Sequence, residues 1–248
     1  MAHFFRLSVG LVLGLGLGTA VLAQEPEPVD LELVLAVDAS SSVSSEEFDL
    51  QMSGLAQAFR HPAVAAAVEA SGDLGIAVSL IQWADSRKQI LAVDWMRITD
   101  AAGAVELADT IDATPRFLVG GGTAIGAAIS YSLRQIEISG YSGRRRVIDI
   151  SGDGRTNQGV RPTKVREIAV AEGVTINGLA ILNEDPYIDG YYLYHVIGGT
   201  GAFVMSATNY EDFAAAMLEK LLKEIAGAPL AGLPDGGASG AYLAERSP

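Results

Sequence analysis

The stretch of residues 31–42, LELVLAVDASSS, joins a short apolar run to a loop of hydroxyl side chains. An apolar run of this length predicts a strand that is buried on both faces, as in parallel sheets. The loop starts at Asp38, and Ser40 and Ser42 follow it two and four positions later. In open α/β sheets, ligands bind at the carboxyl ends of the strands, so this loop is the first candidate for a site.

Strand-like and helix-like segments alternate along most of the chain. Apolar runs typical of strands occur at residues 31–37, 74–83, 146–151, 175–181 and 202–206. Segments with helical spacing lie at residues 44–61, 100–111, 124–138, 163–172 and 210–225. Residues 88–93 alternate more strictly, as an antiparallel edge strand does. This order predicts an α/β fold, with a doubly wound, mostly parallel, Rossmann-like sheet and helices on both faces.

Composition narrows the possible functions. The chain has 248 residues, which favours one domain, and 49% of them are hydrophobic. It has no cysteine, so disulfides, thiolate metal sites and thiol nucleophiles are excluded. Its formal net charge of −13 repels nucleic-acid phosphates and suits hard cations. We therefore predict no nucleic-acid partner.

Both ends of the chain differ from the predicted domain of residues 30–226. Residues 1–23 combine one arginine, an apolar run and small residues before a cleavage point. They predict a signal peptide and a periplasmic or secreted protein with no membrane span after cleavage, although an uncleaved anchor is the alternative. Residues 24–29 are predicted to be an extended lead-in, and residues 227–248, rich in Ala, Gly and Pro, a flexible tail.

Three loops at predicted strand ends or helix starts carry hard oxygen ligands. They are residues 38–42 after the first strand, residues 120–123 (GGGT) before a helix, and residues 151–154 (SGDG) after a later strand. Each motif is common by itself, but their order and structural contexts together point to a single site. The alternative is that these aspartates and serines only cap helices and form turns.

With these loops, the chain resembles a von Willebrand factor A-type domain from about residue 30 to residue 225, in particular the exported single-domain bacterial members. The loops match the metal-ion-dependent adhesion site (MIDAS) of that family. The resemblance implies that one divalent cation, Mg²⁺ or else Mn²⁺ or Ca²⁺, is held by five residues: Asp38, Ser40, Ser42, Thr123 and Asp153. It also implies a position on the ion that is open to an Asp or Glu carboxylate of a partner protein.

Elementary coordination chemistry agrees with this ligand set. Mg²⁺ prefers about six oxygen ligands and keeps some of its waters. Two carboxylates neutralise a dication and three hydroxyls add no charge, so the ion remains a Lewis acid for one more carboxylate. The lack of cysteine, with only three histidines in the chain, argues against zinc or copper.

Four aromatic residues and one acid near the predicted strand ends are weaker candidates. Trp83 ends the second strand, and Tyr187, Tyr191 and Tyr192 follow a later one. Aromatic side chains suit partner recognition, so these four are candidates for contacting a partner, and packing on the sheet is the alternative. Asp149, inside a predicted central strand, is a candidate for bracing the metal loop, or else it forms an ion pair.

These features favour a binding module over an enzyme. A cation-dependent protein-binding role needs no nucleophile or base, and none is evident in the sequence. A metal-dependent hydrolase outside the cytoplasm is the alternative, but it needs a general base, and the sequence places no histidine beside Asp153. The segment GGGTAIG (residues 120–126) lacks the lysine of a phosphate loop. We therefore predict no enzymatic activity.

Overall fold

The structure is a computed structural model that describes residues 25–227 and 242–243. The predicted signal peptide, residues 1–23, lies outside the described residues, as do residues 228–241 and 244–248 of the predicted tail. Within the described part of the chain, no helix is both long and apolar enough to cross a membrane.

A mostly parallel sheet forms the centre of the molecule. Its strands are, in chain order, β1 (Glu27–Asp38), β2 (Ile76–Trp83), β3 (Gln89–Ile98), β4 (Tyr141–Gly152), β5 (Val174–Ile181), β6 (Phe203–Ala207) and β7 (Tyr242–Leu243). Their order across the sheet is β3-β2-β1-β4-β5-β6-β7. β3 runs antiparallel to β2, and the short β7 runs antiparallel to β6, whereas all other pairs are parallel. The predicted parallel sheet with an antiparallel edge strand is confirmed.

Helices cover both faces of this sheet. They are α1 (Ser45–Arg60), α2 (Pro62–Ser71), α3 (Ala101–Asp112), α4 (Ile125–Glu137), α5 (Pro162–Ala171), α6 (Ile188–Tyr191) and α7 (Phe213–Ala226). A π-helical turn, Tyr192–Val196, continues α6. The helices α1, α2, α3 and α7 share one apolar core with one face of the sheet, and α4, α5 and α6 share a second core with the other face. This is the predicted doubly wound arrangement.

The helix α1 begins with a capping box, inside the segment 44–61 that the sequence predicts to be helical, whereas the helix after it was not predicted. Ser44 N donates to Glu47 Oε2 at 2.8 Å and Glu47 N donates to Ser44 Oγ at 3.2 Å, which is a capping box. The helix α2 follows at once, because the Nδ1 atom of His61 accepts a 3.2 Å hydrogen bond from Ala63 N and Pro62 stands at the first position. Its alanine-rich sequence gives little periodicity, so the sequence did not predict it.

Two central strands begin earlier than the sequence predicts. β1 begins at Glu27, inside residues 24–29, which the sequence predicts to be a lead-in, and it pairs there with Tyr141 of β4. β4 therefore includes polar residues that precede its apolar part. One of them, Arg144, forms a 2.7 Å ion pair with the buried Asp30 of β1. The pairing continues beyond the apolar run because such contacts satisfy the polar side chains.

The register of β1 determines where the candidate site lies. β1 stands between β2 and β4, with Asp38 opposite Trp83 and Val37 opposite Ser151. Because these strands are parallel, the loops that follow β1 and β4 leave the same edge of the sheet side by side.

Candidate metal centre

The loop after β1 folds back on its own aspartate. Ser40 N donates a 2.7 Å hydrogen bond to Asp38 Oδ1, and Ser40 Oγ lies 3.1 Å from Ser42 Oγ. Asp38 and Ser40 are fully buried. Gln51 of α1 donates to the backbone carbonyl of Asp38 at 3.1 Å. Three of the predicted ligands thus lie together on a fixed stretch of backbone.

Asp153, in the loop after β4, joins this group through two hydrogen bonds. Ser42 Oγ donates to Asp153 Oδ1 at 2.9 Å, and Tyr210 OH donates to Asp153 Oδ2 at 3.0 Å. Ser42 and Asp153 are 111 positions apart in sequence, so their contact depends on the neighbouring strands β1 and β4. The structure therefore brings the second predicted carboxylate to the first loop.

The glycine loop borders the site on a third side. Ser41 N donates to Gly121 O at 3.0 Å, and Gly121 N donates back to Ser41 Oγ at 2.8 Å. Gly120 and Gly121 have φ angles of 62° and 119°, which residues with a side chain rarely adopt. A Cβ atom added at Gly154 would lie 3.3 Å from Thr123 Oγ1, so Thr123 faces the loop of Asp153. All three loops meet at one edge of the sheet.

Burial makes the two carboxylates of this site costly to ionise. The pKa of Asp38 is raised to about 7, first by burial and then by the charge of Asp153. Burial also raises the pKa of Asp153, against the lowering effect of the hydrogen bonds from Ser42 and Tyr210. A cation beside both groups would favour their charged forms and offset this cost.

The donor set fits a hard divalent cation. Asp38 Oδ2 is buried and has no hydrogen-bond partner among the described residues. A Cβ atom at Gly152 would lie 2.8 Å from this oxygen, so the backbone approaches it closely. An orphaned carboxylate oxygen beside hydroxyl groups is a suitable ligand for Mg²⁺. The described residues contain no group of three or more His, Cys, Asp or Glu placed to hold a metal, so a site here needs its hydroxyls as much as its acids.

Comparison with known proteins places the chain in a family. The model of the family described as "Protein of unknown function (DUF1194)" matches residues 28–229. The chain belongs to this family. No curated protein matches the sequence.

Several solved structures share the fold of the DUF1194 chain at low sequence identity. Proximal thread matrix protein 1 (PTMP1) from the mussel byssus is 16% identical, with a TM-score of 0.59 over 82% of this chain and 50% of that chain. The vWF domain of the type V pili tip protein Mfa5 from Porphyromonas gingivalis is 12% identical, with a TM-score of 0.56 over 84% of this chain and 99% of that chain. The von Willebrand factor type A structure from Catenulispora acidiphila is 13% identical, with a TM-score of 0.53 over 79% of this chain and 43% of that chain.

These similarities show that the DUF1194 chain has a von Willebrand factor A-type fold. The chain spans about half the length of PTMP1, so the similarity concerns one part of that protein. Another structure of PTMP1, 17% identical with a TM-score of 0.58, has a zinc-occupied MIDAS motif. A protein of this fold therefore holds a divalent metal at its MIDAS motif.

Three residues that hold the site of the DUF1194 chain were not singled out from the sequence. Tyr210 binds Asp153, as described above. Arg116 Nη2 donates to the carbonyl of Ser40 at 3.1 Å, and Thr123 N donates to the side-chain oxygen of Asn157 at 2.9 Å. Arg116 and Asn157 lie in loops, where no periodicity distinguishes one residue from another. Their only signal is that they stand close in sequence to the glycine loop and to the aspartate loop.

Three candidate residues need correction. Trp83 and Tyr192 are fully buried, so the prediction that they contact a partner is wrong. Both side chains pack in the apolar core on the sheet, which was the alternative. Asp149 forms a 2.5 Å ion pair with Lys220 of α7 and does not brace the metal loop. Tyr192 nevertheless lies near the site, since Asp38 is, after burial, the largest cause of its raised pKa.

The two other tyrosines remain accessible to different degrees. Tyr187 is 75% exposed, at the end of the loop that follows β5. Tyr191 is partly buried, and its OH accepts a 3.3 Å hydrogen bond from Thr156 N. The Arg155 guanidinium lies 5.4 Å from the centre of the Tyr191 ring. Of the four aromatic candidates, only Tyr187 presents most of its surface to solvent.

Proposed function

We propose that this protein is a divalent-cation-dependent protein-binding module that acts in the periplasm or outside the cell. The observation that carries the proposal is the meeting of two buried carboxylates with a set of hydroxyls at the carboxyl edge of the sheet. The residues that would hold the cation are Asp38, Ser40, Ser42, Thr123 and Asp153. Bound there, Mg²⁺, Mn²⁺ or Ca²⁺ would supply a Lewis acid for an Asp or Glu carboxylate of the partner.

Apolar side chains beside the site offer contact area for such a partner. Phe117 is 49% exposed and Val119 is 79% exposed, in the loop that precedes the glycines. The loop is held firmly: Phe117 N donates to Gln82 Oε1 at 2.7 Å, and Lys88 Nζ donates to Val119 O at 3.2 Å. Exposed apolar groups on an ordered loop are typical of recognition surfaces, where they add affinity around a central polar contact.

The neighbours of this fold support a role in binding. PTMP1 is a thread matrix protein, Mfa5 is a pilus tip protein, and the Lactobacillus rhamnosus GG protein SpaC, with a TM-score of 0.51, is a pilus adhesin. Matrix and adhesin proteins act through contacts with other molecules. We propose the same class of role here, and an exported location that agrees with the predicted signal peptide.

A hydrolase would need a general base beside the ion. Among the described residues, His61 accepts a backbone hydrogen bond at the start of α2, and the centre of the His195 ring lies 4.9 Å from the centre of the Tyr191 ring. Each of these histidines thus has a structural contact, and neither is among the groups that touch Asp38 or Asp153. We therefore propose binding and not hydrolysis.

Thermal unfolding with and without Mg²⁺ tests the proposal. An ion bound only by the folded state stabilises it by about 2.7 kcal/mol at a hundred-fold excess over Kd. For a domain of this size that corresponds to a rise of roughly 5–10 °C in Tm. The rise should be saturable, and it should disappear in Asp153→Asn, which keeps the shape of the side chain but loses its charge.

The matched control is Asp73→Asn. Asp73 is exposed and precedes β2, so it lies at the amino ends of the parallel strands, opposite the candidate site. This variant should respond to Mg²⁺ as the wild type does. If Mg²⁺, Mn²⁺ and Ca²⁺ all leave the wild-type Tm unchanged at millimolar concentration, the cation-dependent function is excluded. A response that survives in Asp153→Asn would place the ion elsewhere.

A further inference from the structure

A lysine and two acids form a buried cluster between α7 and β4. Lys220 Nζ lies 2.5 Å from Asp149 Oδ1 and 2.5 Å from Glu224 Oε1. The side chains of Lys220 and Glu224 are 0% exposed and that of Asp149 is 1% exposed. Lys220 and Glu224 stand four residues apart on one helix, so both approach the strand from the same side.

An amide side chain and an aromatic ring pack against this cluster. Asn177, which is opposite Asp149 in the neighbouring strand, donates a 3.0 Å hydrogen bond to Glu224 Oε1. Phe203 N donates to Asn177 Oδ1 at 3.1 Å, and the Phe203 ring centre lies 5.4 Å from Lys220 Nζ. The amine, the carboxyl group and the second acid are thus fixed next to one another away from bulk water.

As ions these groups would be poorly accommodated. One ammonium faces two carboxylates, so Lys220, Asp149 and Glu224 together carry one excess negative charge when all three are ionised. The half-buried guanidinium of Arg145, which donates to the backbone carbonyl of Glu224 at 2.6 Å, lies next to this charge. Burying such a charge is unfavourable, and a buried ion pair often contributes little to stability. A chemical change that removes charges from the cluster would be favoured by the same burial.

We propose that Lys220 and Asp149 condense into an intramolecular isopeptide bond, with Glu224 accepting the proton that the lysine must lose. The bond would join α7 covalently to β4, the strand that leads into the loop of Asp153. The bond involves none of the proposed metal ligands, so its presence or absence does not bear on the proposed function.

The reaction balances without any other reagent. The Lys220 ammonium passes one proton to the Glu224 carboxylate, and the neutral amine attacks Cγ of the protonated Asp149. An N–Cγ bond forms, one Cγ–O bond breaks, and the oxygen leaves as water with the acid's proton and one proton from nitrogen. The products are an amide, one water molecule and a protonated Glu224, with no change in oxidation state.

Position and environment both favour this step. Holding two reacting groups in contact can correspond to an effective molarity of about 10⁵–10⁸ M. Burial, and next the charge of Glu224, raise the pKa of Asp149, so the protonated acid that an amine can attack is accessible. A cavity of about 520 Å³ lies beside the cluster, and Asn177, Phe203 and Glu224 are among the residues that line it, so there is space next to the cluster for the released water.

Mass spectrometry of tryptic peptides from the purified full chain tests the proposal. Without the bond, trypsin should release residues 147–155 as a free peptide and cut after Lys220. With the bond, trypsin should not cut there, and residues 147–155 should stay attached to residues 167–223. The linked species should be lighter than the sum of its two parts by one water molecule. Free peptides alone would overturn the proposal.

Two variants distinguish the role of Lys220 as the reacting amine from that of Glu224 as the proton acceptor. Lys220→Arg cannot form the amide and should give no linked species. Glu224→Gln keeps both reacting groups but removes the proton acceptor, which should slow the reaction about 10²–10⁴-fold. The matched control is Glu219→Gln, an exposed acid on the same helix, which should link as the wild type does. Linkage of Glu224→Gln at the same rate as the wild type, followed in samples taken at equal times after synthesis, would overturn the role of Glu224. If Lys220→Arg does not fold, the wild-type peptides still decide whether the bond exists.

Discussion

The phenol of Tyr210 donates a 3.0 Å hydrogen bond to Oδ2 of Asp153, and the carboxylate thereby gains a partner from outside its own loop. Tyr210 is buried and stands three residues before α7 begins at Phe213. The contact therefore links the last helix to the candidate metal centre. It also raises the pKa of Tyr210, after burial and the charges of Asp153 and Asp38.

We expect Tyr210→Phe to destabilise the protein in the absence of metal. The substitution leaves one oxygen of a largely buried carboxylate without a donor, and a hydrogen bond to a charged group contributes about 1.5–3 kcal/mol. Thermal unfolding in chelator should show a lower Tm. Tyr194→Phe is the matched control, because Tyr194 is 69% exposed and the loss of its hydroxyl should change Tm little. An unchanged Tm in Tyr210→Phe would mean that the hydrogen bond contributes nothing.

We expect Gly152→Ala to disturb the site by crowding. The added Cβ would lie 2.8 Å from Asp38 Oδ2 and 2.9 Å from Tyr192 OH, closer than such atoms pack. Overpacking of this kind costs about 1–3 kcal/mol, and the displaced Asp38 should weaken any Mg²⁺-induced rise in Tm. Gly190→Ala is the control, because a Cβ at that helical position meets nothing within 4 Å. Equal Tm values for the two variants would contradict the expected crowding.

The fold, and the meeting of the loops that carry the candidate ligands, were predictable because their signals are local. The apolar run before Asp38, the glycines before Thr123 and the strand before Asp153 each stand next to the residue they position. Parallel strands then bring these loops to one edge, which is a general property of the fold. The contact of Tyr210 with Asp153 has no such local signal, because it joins residues 57 positions apart.

The burial of Tyr192 shows a different limit of the sequence. Four tyrosines crowd the segment after β5, and no periodicity distinguishes those that face inward. Tyr192 is buried because a π-helical turn starts there and because Gly178 of β5 leaves space, since a Cβ at Gly178 would lie 2.6 Å from the ring. Both conditions depend on the tertiary structure. Tyr187, five residues earlier, remains exposed.

We expect Arg116→Lys to loosen the metal loop although it keeps the charge. The guanidinium donates to the carbonyls of Ala39 at 3.0 Å and Ser40 at 3.1 Å, and through Nε to that of Leu118 at 3.0 Å. A lysine cannot reproduce this planar fork. Calorimetric titration with Mg²⁺ should show weaker binding than in the wild type. Arg87→Lys, at an exposed arginine whose side chain makes no hydrogen bond to a described residue, should leave the affinity unchanged. Unaltered affinity in Arg116→Lys would show that the fork is dispensable.

In chelator, we expect the stability of the wild type to decrease as the pH rises from about 4 to about 7. The pKa of Asp38 is raised from 3.8 to about 7 in the folded protein, first by burial and then by the charge of Asp153. Below pH 4 the group is protonated in both states, whereas between these values only the folded state keeps the proton. This contribution is therefore fully present below the unfolded pKa and is lost as the pH passes the folded pKa, at about 1.4 kcal/mol per unit.

The comparison with Asp38→Asn isolates this contribution, because asparagine keeps the shape and cannot titrate. Free energies of unfolding from urea titrations at several pH values should show the variant gaining on the wild type as the pH rises. Saturating Mg²⁺ at pH 8 should reverse the order, because the cation stabilises the ionised Asp38 of the wild type and has one ligand fewer in the variant. Parallel pH profiles for the two proteins in chelator would show that Asp38 is not held protonated in the folded state.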